Sequence, residues 1–432
     1  MTNSECADIA KPGAESVSKP GAKPAAESVS KSAAKPASTQ SDWVERGQKV
    51  LMQTYATQPM VLSEGHGSYV MDVEGKSYLD FASGIAVNSL GHCHPAYVEA
   101  LTKQLSKLSH CSNLYYNQPA IELAEKLVAN SAFDRAFFCN SGAEAIEGAL
   151  KLSRKYAKKH KGENCTKILS MSNSFHGRTY GALSATGQTK YQAGYQPLVP
   201  DMNVVEFNNI DSIRATDLGT VAAIIVEPVQ GEGGVHLADC DFLKALRTLC
   251  DEHKIVLIFD EIQCGVGRSG SFFAHEQFGV APDVVALAKG LGGGFPVGAI
   301  LAKESVAEAF SPGDHGSTFG GNALATTAAL ACVNIIADEQ FLAAVKKKSE
   351  LLVAALTSLK SKHPTIKAVR GLGLMLGVEL DVPVKPIIQE CAAQGLLLVG
   401  AGEHVIRLLP PLTVSGEEIG EAIGILDAVL AS

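Results

Sequence analysis

The chain has 432 residues, 46% hydrophobic and 19% charged, with a formal net charge of −8, the balance of a globular protein with two or three domains' worth of core. An acidic surface argues against duplex nucleic acid or an anionic membrane as partner, and the longest apolar runs, such as Val221–Val226, fall far short of the ~20 residues a membrane helix needs. Ten cysteines without a Cys-x-x-Cys pair or a leading secretory segment suggest neither a disulfide framework nor a cysteine zinc site, so a reducing, cytoplasmic compartment is expected.

Residues 1–40 are Ala, Ser, Lys and Pro with few large apolar side chains, and are expected to be a disordered tail. Within it Ala14–Lys19 returns as Ala26–Lys31, a duplication too short for a solenoid. An organelle transit peptide is the alternative, but the tail has acids and no Arg. Residues 41–95 are assigned to the first part of a small domain. They end in Gly91-His92-Cys93-His94-Pro95, which reads as a turn before a helix, because adjacent ligands cannot easily wrap one metal ion.

Residues 96–310 are assigned to a large domain in which strand-like and helix-like segments alternate, the pattern of an α/β fold with a mainly parallel sheet. Arg135–Cys139 reads as a strand feeding Asn140-Ser141-Gly142-Ala143. A helix then runs from Ala143 to Lys158, with Ile146, Ala149, Leu150, Ser153 and Ala157 on one face. The lysines at 158–161 and 346–348 read as solvated helix faces. Val221–Glu227 is a strand before a helix over Cys240–His253. Ile255–Phe259 is an apolar run ending in Asp260 and Glu261, and Asp283–Ala288 is another, ending in Lys289 and a glycine-rich loop. The Gly- and Pro-rich stretch Ser311–Gly321 is expected to open the C-terminal small domain, residues 311–432.

Three of these segments carry chemistry. In a parallel sheet, Asp260 and Lys289 both fall at the carboxyl edge, where ligands bind; a lysine merely reaching for solvent is the competing reading. The small residues 141–143 expose backbone N–H groups at a helix N-terminus, a ready phosphate site. An anion cradle, a strand-end acid and a strand-end lysine are what is needed to hold a phosphorylated pyridine aldehyde. The lysine forms the imine, the acid keeps the ring nitrogen protonated, and the cradle anchors the phosphate.

The sequence resembles the class III aminotransferases of the fold-type I pyridoxal-phosphate enzymes. The resemblance runs over Gly84-Ile85-Ala86-Val87-Asn88, Asn140–Ala145, Phe175-His176-Gly177-Arg178-Thr179, Gly231-Glu232-Gly233-Gly234, Asp260–Arg268, Ala288-Lys289-Gly290 and His315–Asn322. It implies a large domain with a mainly parallel mixed sheet, and a smaller α+β domain built from the N- and C-terminal parts. It implies pyridoxal 5′-phosphate as cofactor, no metal, and Lys289 as imine lysine and proton shuttle. Asp260 is then the partner of the ring nitrogen, Gln263 lies near the ring hydroxyl, and Phe175 stacks on the ring with His176 beside it. Ser141, Gly142 and Ala143 bind phosphate, and Ser317 and Thr318 reach the phosphate of a neighbouring subunit, which implies a homodimer with shared sites. Arg178 clamps the substrate α-carboxylate. Glu232 and Arg407 form a switch in which Arg407 meets a distal carboxylate or, when the side chain is neutral, Glu232.

Within the family the likeness is nearest to the branch acting on N-acetylornithine with 2-oxoglutarate. Ornithine, 4-aminobutyrate and succinyl-diaminopimelate are the alternative amino donors. One departure is Ile146, where many members carry Asn. A nicotinamide enzyme is disfavoured because Gly371–Gly377 has the wrong spacing and comes late. A serine hydrolase is disfavoured because Gly-x-Ser-x-Gly does not occur. A catalytically silent protein on the same fold would have little reason to keep Lys289 and Asp260.

Overall fold

The computed structural model describes residues 38–432; the tail repeat lies outside them. A seven-stranded sheet forms the centre. Its spatial order is Arg135–Cys139, Gly298–Ala302, Val284–Leu287, Val256–Asp260, Val221–Val226, Lys167–Met171 and Met202–Val205. Only Gly298–Ala302 runs antiparallel to its neighbours, whereas the strands from Val284–Leu287 to Met202–Val205 pair in parallel. The interior strands are continuous apolar runs because helices cover both faces; every residue of Val221–Val226 is fully buried.

The predicted helix spans Gly142–Lys161. Its apolar stripe, including Ala145, Ile146, Ala149 and Leu152, packs on one face of the sheet. Ile146 is fully buried there, so the departure from Asn puts an apolar side chain into the core. Helix Cys240–His253 packs Phe242, Leu243, Leu246 and Leu249 into the core on the other face.

The N- and C-terminal parts meet in the small domain. Leu396–Leu397 adds in parallel to the sheet of Leu62–His66, Tyr69–Asp72 and Ser77–Asp80. A second sheet holds Ile366–Leu372, Met375–Leu380, Val405–Leu408 and Val399–Gly400 in that order. Helix Pro95–Leu105 follows the Gly91–Pro95 turn, and there His92 Nε2 pairs with Asp80 Oδ2 at 2.9 Å.

Two boundaries differ from expectation. Thr39 caps a helix over Gln40–Val50 through a capping box with Asp42, so the helix and its cap take in residues 39 and 40 of the expected tail. Helix Ala323–Ile336 packs on Pro95–Leu105 and Gln118–Ala129 and belongs with the large domain, beyond the expected break at 311. Its face toward them is small and apolar, with Ala325, Ala329, Cys332 and Val333 in the main core.

Candidate active site

The carboxyl edge of the sheet opens into a cavity of about 440 Å3 between the two domains' contributions. Asp260 ends its strand in register with Ala286, and Lys289 follows three residues beyond Ala286, so pairing alone brings the two to one edge. Both line the cavity, as do Asn140, Ser141, Gly142 and Ala143. Ser141 caps the helix, its Oγ accepting from Glu144 N at 3.2 Å. Glu144 in turn accepts from Asn140 N at 2.5 Å. These contacts fix the turn so that helix N–H groups face the cavity. Gly142 is required by close packing, since a Cβ there would stand 2.9 Å from Ile262.

Asp260 is buried and held on both oxygens: Oδ2 lies 2.8 Å from His176 Nδ1, and Oδ1 accepts from Ile262 N at 3.0 Å. His176 Nε2 is buried without a partner among the described residues. Lys289 has φ +47°, a left-handed strain that non-glycine residues carry mainly at functional sites. Its side chain keeps some surface toward the cavity but is enclosed by protein. That burial, aided by the Arg407 guanidinium, lowers the amine to about 8. The turn packed against it is strained too: Ser83, Gly84, Ile85 and Ala86 have φ of +47°, +62°, +64° and +62°. Left-handed conformations cost non-glycine residues about 1–2 kcal/mol each.

Glu232 and Arg407, 175 residues apart in sequence, meet at the cavity: Arg407 donates to Glu232 Oε1 at 2.6 Å and to Gln263 Oε1 at 2.8 Å. Arg407 is fully buried. Burial pushes the Glu232 carboxyl up, but the Arg407 charge and hydrogen bond outweigh it and hold the group below the usual range. Gln263 therefore faces the Arg407 pair as well as the cavity. Arg178 also lines the cavity, stacked 4.2 Å over the Tyr191 ring. No carboxylate among the described residues lies within ion-pair distance of it. Phe175 forms a wall of the cavity.

Ser317 and Thr318 stand outside that lining. Ser317 Oγ accepts from Asn140 Nδ2 at 3.0 Å, and Thr318 is exposed. Sequence reasoning missed Glu227, a buried acid that accepts from Phe175 N at 3.0 Å and lines the cavity. Burial and the neighbouring Asp260 push its carboxyl well above the usual range. The signal was present, because Glu227 ends an apolar run as Asp260 does.

This donor set fits pyridoxal 5′-phosphate: an amine of lowered pKa, a fixed buried carboxylate, helix N–H groups and an aromatic wall share one cavity. The family model of Aminotransferase class-III matches residues 51–430. Acetylornithine aminotransferase of Clostridium acetobutylicum is 52% identical over 378 residues, 87% of this chain and 98% of that protein. Its namesake from Methanocaldococcus jannaschii is 51% identical over 391 residues, 90% and 98% of the two chains. Among solved structures, N-acetylornithine aminotransferase of Stenotrophomonas maltophilia K279a matches with TM-score 0.78 and 38% identity over 90% of this chain and 98% of that one. Ornithine aminotransferase of Toxoplasma gondii ME49 matches with TM-score 0.87 and 31% identity over 91% and 95%.

Proposed function

The chain belongs to the class III aminotransferases, and from that premise we infer that it moves the amino group of N2-acetyl-L-ornithine to 2-oxoglutarate. The products are N-acetyl-L-glutamate 5-semialdehyde and L-glutamate, a step of arginine biosynthesis. The observation that carries this reading is the Glu232–Arg407 pair, which lets one cavity take a donor with a single carboxylate, acetylornithine, and one with a second carboxylate on the reacting carbon, glutamate. The relatives about 50% identical over nearly their whole length bear the acetylornithine name, whereas the neighbour named as an ornithine aminotransferase stands at 31%.

Pyridoxal phosphate, when bound, supplies an electrophilic carbonyl and a protonated ring that withdraws electrons from the substrate carbon bearing the transferred amine, C5 of acetylornithine and Cα of glutamate. Lys289 Nζ takes and returns the proton at that carbon, a role suited to an amine whose pKa is near neutrality. Asp260, oriented by His176, would hold the proton on the ring nitrogen. Ser141, Gly142 and Ala143 would hold the phosphate, and Phe175 would cover the ring and keep water from it. Gln263, which holds Arg407, would also meet the ring hydroxyl. Arg178, with no acid in ion-pair reach among the described residues, grips the carboxylate distal to the reacting carbon bidentately, the α-carboxylate of acetylornithine or the side-chain carboxylate of glutamate. With glutamate bound, Arg407 meets the other carboxylate, on the reacting carbon, and not the distal one the sequence suggested, because acetylornithine reacts at C5; with acetylornithine bound, whose reacting carbon bears no carboxylate, Arg407 keeps Glu232.

The working unit in this reading is a homodimer. Asn113 donates to the Ser317 and Gly320 carbonyls, which places Leu114, Tyr115 and Tyr116 beside Thr318 and Phe319. All five are exposed, an apolar surface of the kind a second subunit covers, and Ser317 and Thr318 would then lie at that subunit's phosphate. Among the described residues no single helix is long and apolar enough to cross a membrane, and the nine cysteines there are all free, as in a reducing cytoplasm. A panel of acetylornithine, ornithine, 4-aminobutyrate and succinyl-diaminopimelate as donors to 2-oxoglutarate tests the assignment. Acetylornithine should give the highest kcat/KM, and a higher value for ornithine or 4-aminobutyrate refutes it.

A further inference from the structure

The loop that carries Glu232 is gripped at a second point. Ile366–Leu372, Met375–Leu380 and Val405–Leu408 are neighbouring antiparallel strands, and Arg370, Gly377 and Arg407 stand opposite one another in register. Directly opposed residues project to the same face of a sheet, so two guanidinium groups flank a glycine. Val235 occupies the space over it: a Cβ at Gly377 would stand 2.9 Å from Val235 Cβ. Val235 is β-branched yet sits at φ +56°, next to Gly234 at φ +107°, a turn that a free loop would not keep.

The two arginines hold this turn from opposite sides. Arg407 takes the Glu232 carboxylate on the inside, at 2.6 Å. On the outside Arg370 Nε donates to the Gly234 carbonyl oxygen at 2.9 Å. A second N–H of Arg370 pairs with Glu379, and a third reaches His236 Nε2 at 3.4 Å. The hydrogen bond and charge of Arg370 keep the Glu379 carboxyl below its usual range, so Arg370 is anchored to its own sheet. Both grips thus stand on one rigid frame, but only the inner one must open when a substrate carboxylate claims Arg407.

We propose that Arg370 is a positioning residue for substrate discrimination, an outer clamp that keeps the Glu232 loop seated while Glu232 and a substrate carboxylate exchange on Arg407. This rests on the exchange proposed above. With the clamp in place, the change between the two states is confined to the Glu232 side chain. Without it, the strained turn relaxes, and Glu232 returns to Arg407 only at an ordering cost paid in the acetylornithine complex alone.

The test compares Arg370→Met, Arg370→Lys, Glu232→Ala and the Arg370→Met/Glu232→Ala double variant as holoenzymes, with kcat/KM measured for N-acetylornithine and for glutamate. Arg370 is only partly buried, so both substitutions should fold, as a thermal melt checks. Arg370→Met should lower kcat/KM for acetylornithine about tenfold, the worth of one charge-assisted hydrogen bond, and that for glutamate by less than about threefold. Lys, which retains one donor, should recover part of the loss. The double variant should discriminate no worse than Glu232→Ala alone, because the clamp acts through Glu232. Equal losses on both substrates in Arg370→Met, or losses that add to those of Glu232→Ala, overturn the clamp. Selective damage in Glu232→Ala with none in Arg370→Met overturns the clamp and leaves the exchange standing. Unselective damage in Glu232→Ala overturns the exchange, and the clamp with it.

Discussion

Replacing Glu232 by Ala removes the one carboxylate bonded to Arg407, a guanidinium with no exposed surface. In the acetylornithine complex that charge is then left with Gln263 Oε1 at 2.8 Å and a long contact to the Gly400 carbonyl at 3.3 Å, and its Nε has no partner among the described residues. In the glutamate complex the carboxylate on the reacting carbon, which acetylornithine lacks, supplies the missing anion. Stripping one partner from a buried pair costs about 3–5 kcal/mol. Glu232 is itself 23% exposed and Gln263 remains, so a discounted value of about 2–3 kcal/mol is appropriate here. Discrimination should therefore shift toward glutamate by ~30- to 150-fold. Steady-state kcat/KM for both amino donors, measured with saturating cofactor, reads this directly. Equal losses for the two donors would refute the exchange without touching the aminotransferase assignment.

Lys289→Ala should lower transamination by at least the ~10²–10⁴-fold that a positioned proton-transfer group contributes, with the circular dichroism spectrum unchanged; turnover within tenfold of the parent removes Lys289 from its role. Asp260→Asn should reduce kcat more than cofactor affinity, because His176 and Ile262 N can still hold the amide. Equal kcat in the cofactor-saturated variant would show that another group protonates the ring. For pH, the neutral amine is the nucleophile, and Lys289 is lowered to about 8 by burial first and Arg407 second. Capture of pyridoxal phosphate by the apoprotein should thus quicken as pH rises and level off just above 8. In Arg407→Met that midpoint should move upward, and an unchanged midpoint would mean that burial alone sets it.

What the sequence made legible is the part that depends on pattern. A polar residue closing an apolar run is conspicuous, so Asp260 and Lys289 could be placed at one sheet edge, and small residues before an amphipathic stretch marked the helix N-terminus at 141–143. Glu227 closes a similar run but is followed by Pro228, and it was passed over as an ordinary strand end. The Glu232–Arg407 contact depends on two segments that no spacing relates, so only family resemblance pointed to it. Helix Ala323–Ile336 is apolar nearly all round, which signals burial without saying in which domain, and the glycine-rich stretch before it suggested a boundary that the packing does not respect. The left-handed turn Ser83–Ala86 contains one glycine in four residues; its conformation is imposed by tertiary packing beside Lys289, and local propensity argues against it.

The charges of the cavity explain why the substrate carboxylates have places to go. Lys289 and Arg407 are the cations, and Asp260, Glu232 and Glu227 are the acids within their reach. Glu227 is pushed upward by its burial and by Asp260, so it is the acid that yields its charge. That leaves Asp260 held by His176 and Glu232 held by Arg407, each carboxylate at the point where it is used. Arg178 stands outside this balance, held by the Tyr191 ring and not by an acid. An incoming carboxylate completes a pair there without breaking one. A second carboxylate, which glutamate has and acetylornithine lacks, finds no such vacancy and must displace Glu232, which is the more exposed member of its pair and the one that can take its charge back to water. Acetylornithine, with a single carboxylate, asks for no displacement, and so one cavity serves both half-reactions.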